Sequence, residues 1–121
     1  MGLFQHEIQV LDQSGATVAV VSAWVDTASS YSWLPRNVAR VLNIQTTSQR
    51  TFILANGRRE RRGVAQVRIS LRDDPFYTYC AFANEGEEFL LGAIALEEAG
   101  LAVDVVNKRL VPADSYALTA L

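Results

Sequence analysis

The chain has 121 residues, 50% of them hydrophobic, which is enough for one domain with a substantial core and too little for a second. Eleven Lys and Arg against thirteen Asp and Glu leave a formal net charge of -2, without the cationic excess of a nonspecific nucleic-acid binder. Cys80 is the only cysteine and His6 the only histidine, which argues against an internal disulfide, a metal site and a Ser-His-Asp triad.

The N-terminus has neither a basic start nor a long apolar run, and no segment approaches about 18 uninterrupted apolar residues, so the expectation is a soluble cytoplasmic protein without membrane contact. Phe4, His6, Ile8 and Val10 alternate with Gln5, Glu7 and Gln9, the period of a strand with one wet face. Asp12, Gln13, Ser14 and Gly15 supply a turn. Thr17 to Val25 is nearly continuous in apolar residues, which predicts a strand covered on both faces and central to the sheet. That strand ends on Asp26, followed by Thr27, Ala28, Ser29 and Ser30. A carboxylate here is costly unless hydrogen-bonded, paired or sharing a proton, so it is either the start of a turn or a group kept for its chemistry.

After this loop, Pro35 suits a helix start, and Leu34, Val38, Val41 and Leu42 share one helical face, predicting a short helix over 36–42. Residues 45–49 read as a loop. Asn56-Gly57, between the apolar run 51–54 and the alternating run 64–71, signals a hairpin whose two turn residues both accept positive φ. Its tip carries Arg58, Arg59, Glu60, Arg61 and Arg62, which read as a solvated cluster. A turn at 72–75, an aromatic-rich strand over 76–82 and an acidic loop over 84–88 follow. Residues 93–99 favour helix, with Gly100 as its stop, and a last hairpin pairs 101–105 with 109–111. The tail, 113–121, alternates and is a candidate interface strand. Cys80 reads as a buried small hydrophobe, Trp24 and Trp33 as core or interface residues, and Asp104 as a structural partner for backbone or an arginine.

Val25-Asp26-Thr27-Ala28-Ser29 followed by Leu34-Pro35 resembles the active-site loop of the retroviral-type (retropepsin-like) aspartic proteases. Leu54, Ala55, Asn56, Gly57 and Arg58 fall where that family has its flap, and Leu90, Leu91 and Gly92 where it has the run that packs behind the site. The closing run 103–111 is similar to the final hairpin of bacterial and cellular members. The resemblance implies a mostly β acid-protease fold: a closed, barrel-like half with one or two short helices, spanning 1–121 and working as a homodimer. It further implies an endopeptidase acting on peptide or unfolded-protein substrates without cofactor or metal. Asp26 would be the catalytic carboxylate, Thr27 would bond across the dimer axis, and Ser29 would pack beneath. Ala28 departs from the family's Gly at that position, tolerable at negative φ and not at positive φ. The competing expectation is therefore a weakened or inactive dimer that serves as a peptide-binding or scaffold module.

Overall fold

Residues 3–115 are described by the structure, a computed structural model. Strand β1 (Phe4–Leu11) pairs antiparallel along its length with β2 (Thr17–Val25). The turn between them is built by Asp12, whose Oδ1 accepts from the Ser14 and Ala16 backbone N–H groups at 2.9 and 3.1 Å. Then come β3 (Ser32–Leu34), α1 (Arg36–Leu42), β4 (Ser48–Ile53), β5 (Arg59–Ser70), β6 (Phe76–Phe82), β7 (Leu90–Leu91), α2 (Ala93–Ala99), β8 (Leu101–Asp104) and β9 (Arg109–Pro112).

Seven strands form one sheet in the order β1-β2-β7-β3-β6-β5-β4, and a further β1–β5 pairing closes six of them into a ring. Strand β4 lies outside the ring and extends, with the first half of β5, as a two-stranded arm. Two contacts are parallel, β2 with β7 and β3 with β6, and they bring the ends of β2, β3 and β7 together. The ring encloses Ile8, Val10, Val25, Leu34, Ile69, Phe89 and Leu91, none more than 2% exposed. At about 1.5–3 kcal/mol for each large apolar side chain, this interior is what holds the ring shut. Cys80 is wholly buried there, and desolvation pushes its thiol up to about 12, so it packs as a hydrophobe.

Both helices occupy the expected residues. Helix α1 starts after Pro35 and ends at Asn43, whose φ of 53° is left-handed, while α2 ends at Gly100 with φ 67°. The expected helix face is only partly right, because Leu34 and Val38 are buried but Val41 is 61% exposed.

Other local expectations are corrected. Strand β2 is not covered on both faces: only Ala23 and Val25 are buried, and Val20 is 56% exposed. Beyond Trp24 and Val25 its second edge has no β partner among the described residues. Strand β3 is not among the expected elements, and β4 begins at Ser48, inside the expected loop. The β4–β5 turn has positive φ at Gly57 (83°) but not at Asn56. Gly57 N–H donates to the Leu54 carbonyl at 2.9 Å and Leu54 N–H to the Arg58 carbonyl at 2.8 Å, which makes a three-residue loop with a glycine bulge. The tail expectation falls largely on residues 116–121, outside those described.

Candidate active site

Asp26 follows directly on β2, where Trp24 and Val25 run parallel to Leu90 and Leu91. Its backbone N–H donates to the Leu91 carbonyl at 2.9 Å, and the Trp24 N–H to the Phe89 carbonyl at 2.9 Å, so the strand pairing continues up to the carboxylate. Asp26 then turns the chain: Oδ1 accepts from the Ala28 N–H at 3.0 Å, and its carbonyl accepts from the Ser29 N–H at 3.2 Å. The turn-starting reading of Asp26 is thus correct as geometry. It leaves the side chain half-buried at the rim of the ring, with Thr27 and Ala28 exposed beside it.

The far side of the loop is tied to α2. The first N–H groups of a helix have no partner within it. Here Ala93 and Ile94 donate theirs to the carbonyls of Ser29 and Ser30, at 2.8 and 3.1 Å. Gly92 N–H donates to the buried Ser32 Oγ at 3.0 Å, and Ser29 Oγ donates to the Tyr31 carbonyl at 2.7 Å. A Cβ built on Gly92 would stand 2.5 Å from the Tyr31 carbonyl oxygen and 2.8 Å from that of Ser30, so only glycine allows this approach. Leu90, Leu91 and Gly92 are therefore brought against the loop of Asp26, Thr27, Ala28 and Ser29.

Ala28 takes no left-handed backbone. Asn43 and Lys108 are the positive-φ residues other than glycine among those described. Its methyl group thus costs the loop no backbone strain within the chain.

Leu54, Ala55, Asn56, Gly57 and Arg58 form the tip of the β4–β5 arm, where Asn56 Oδ1 accepts from the Arg58 N–H at 2.9 Å. The arm is seated by aromatic residues that the sequence reading leaves ungrouped. Phe52 packs against Tyr31 at 5.4 Å and Trp33 at 5.2 Å between ring centroids, and Tyr31 lies 6.4 Å from Tyr79. Tyr31 and Trp33 are two apart on either side of a strand residue, which was the available signal for a shared aromatic face. Arg62 is not a solvated tip residue: its guanidinium sits 5.5 Å over Trp33, pairs with Glu60 at 2.6 Å and donates to Asn84.

His6 donates from Nε2 to the Leu71 carbonyl at 3.0 Å, a structural bond. Asp104 accepts from Asn107 and Arg109 and closes the β8–β9 turn, as expected. Among the described residues there is no cluster of three or more His, Cys, Asp or Glu able to hold a metal, and no helix is long and apolar enough to cross a membrane. Two surface grooves, of about 670 and 460 Å³, lie against the β1–β2 turn and against the 85–89 loop, and neither is lined by Asp26.

No family model matches the sequence, and no curated protein matches it. Among solved structures, the chain is similar to the solution structure of simian foamy virus (mac) protease. The TM-score is 0.56 at 10% identity, over 76% of this chain and 90% of that one. At that identity the likeness shows the fold: mostly β, retropepsin-like, with a barrel-like ring and two short helices.

Proposed function

We propose that the protein is a homodimeric aspartic endopeptidase, each chain contributing one retropepsin-like domain and one Asp26. The observation that carries this reading is the Asp26 loop at the end of β2, held from behind by Gly92 and α2, within a fold like that of a protein that is itself a protease. Hydrolysis by two carboxylates uses an ionised one to take a proton from water and a protonated one to polarise the peptide carbonyl. Like charges held close together divide in that way.

One chain carries a single Asp-Thr motif, so it supplies half of such a site. An isologous interface brings the second half automatically, because a two-fold axis juxtaposes identical residues. Exposed Thr27 and Ala28 stand where such a contact falls, and Thr27 is the residue to bond across the axis. Ser29 braces the loop from within. The tip residues Leu54, Ala55, Asn56, Gly57 and Arg58 act as the flap that closes over a peptide and keeps water out. Leu90, Leu91 and Gly92 hold the loop at its depth. The site needs no cofactor, and its substrates are peptides or unfolded protein in the cytoplasm.

The test is incubation of an unfolded protein with the chain at mildly acidic pH, with and without pepstatin, alongside sedimentation. Pepstatin-sensitive cleavage by a dimeric species supports the reading. A strictly monomeric species, or a dimer that cleaves nothing, overturns it, and in the latter case the binding-module reading takes its place.

A further inference from the structure

Residues 45–62 hold five of the eleven cationic side chains and, in Glu60, one of the thirteen acids. Everything else in the chain sets six cations against twelve acids. The cationic charge is thus concentrated on the β4–β5 arm, and the strand register sorts it by face. Arg50 lies opposite Arg62 and Phe52 opposite Glu60, so these four share one face, while Arg59 and Arg61 stand on the other, opposite Ile53 and Thr51. The first face is the inner one, because Phe52 and Arg62 pack against Tyr31 and Trp33, the residues that follow the Asp26 loop.

On that inner face Arg62 is satisfied. Its side chain is 12% exposed, paired with Glu60 and laid over Trp33. Arg50 is exposed and pairs with no carboxylate among the described residues, and it sits directly across from a second guanidinium. Like charges directly opposite on a sheet repel, and an incoming carboxylate relieves that repulsion while forming a charge-assisted bond.

Resting on the endopeptidase reading above, we propose that Arg50 selects an acidic side chain of the peptide bound beneath the arm, with the stem of that side chain against the Phe52, Tyr31 and Trp33 rings. The partner is a peptide rather than a nucleic acid, because among the described residues the inner face offers one uncommitted cation and the rest of the chain is net acidic.

The experiment measures binding, separately from cleavage. The full chain carrying Asp26→Asn is titrated with fluorescein-labelled apolar peptides in which a single Glu, or its Gln isostere, is walked along the sequence. At one position the Glu peptide binds at least about tenfold more tightly, the size expected of a charge-assisted contact. Adding Arg50→Gln removes the difference, Arg50→Glu turns the preference towards a Lys peptide, and Arg59→Gln with Arg61→Gln leaves it in place. No Glu preference at any position, a preference that survives Arg50→Gln, displacement of the peptide by a single-stranded oligonucleotide, or no binding by any peptide overturns the proposal. Failure of the endopeptidase reading shows separately, as absence of cleavage of the same peptides by the unsubstituted chain.

Discussion

Gly92 and Tyr31 approach so closely that a β-carbon on the glycine would fall 2.5 Å from the tyrosine carbonyl oxygen. The obstacle is backbone, which cannot swing aside as a flexible side chain can, and the same loop presents Asp26. Gly92→Ala is therefore expected to lower stability by about 1–3 kcal/mol, in the range of overpacked cores. It should also lower turnover, since the loop must shift to admit the methyl group. A urea midpoint unchanged from the parent would show that the loop yields freely.

Asp26→Asn is expected to abolish proteolysis while leaving the fold intact. Asn keeps the Oδ1 that accepts from the Ala28 N–H, so the turn survives, and what disappears is the base that the endopeptidase reading assigns to water activation. In the proposed dimer the substitution would also remove repulsion between two facing acids, and thermal stability should hold or rise. Cleavage that persists in the variant would place the chemistry elsewhere.

Ala28→Gly separates the two functional readings. Because Ala28 is not held at positive φ, glycine relieves no strain within the chain and costs about 0.4–1 kcal/mol by widening the unfolded ensemble. In the proposed dimer any gain lies in the space between the two Asp26 loops and the substrate, where a displacement of about 1 Å can change rates about a hundredfold. The expected result is higher kcat with modestly lower stability. If parent and variant are equally inert on a broad set of unfolded substrates, the binding-module reading is the better one.

Asp104 supplies a pH signature outside the Asp26 loop. The Asn107 side chain first, then its backbone N–H and Arg109, hold the Asp104 carboxyl below the usual carboxylate range. The folded state thus favours the ionised form more than the unfolded chain does. That stability is present above the ordinary carboxylate range and is lost as pH falls through the lowered value. Asp104→Ala should destabilise the β8–β9 hairpin near neutral pH and converge with the parent in acid, read from denaturation curves across pH. Curves that stay parallel to the most acidic pH would assign the loss to packing instead.

Several features were legible from residues alone because their causes are local. Helix α1 follows Pro35 and α2 stops at Gly100, since proline cannot continue a helix from upstream and glycine accepts the left-handed stop at 67°. The Asp12 turn, the β6 limits and the pairing of Asp104 with its neighbours likewise depend on residues a few positions apart. The position of Asp26 at a strand end was legible too, because the apolar run stops there.

What the sequence could not decide depends on partners distant in the chain. Strand β3 is three residues long, too short for its alternation alone to mark a strand, and exists because β6 and β7 pair with it on either side. Val20 reads as core yet lies at the surface, since burial of a strand is set by what covers its face and edge. Arg62 reads as solvated yet is committed to Trp33, Glu60 and Asn84, because register places it on the inner face. The conformation of Ala28 and the approach of Gly92 to Tyr31 belong to the same class. Each is fixed by where the closed ring brings two backbone segments together, and closure is a property of all its strand pairings at once.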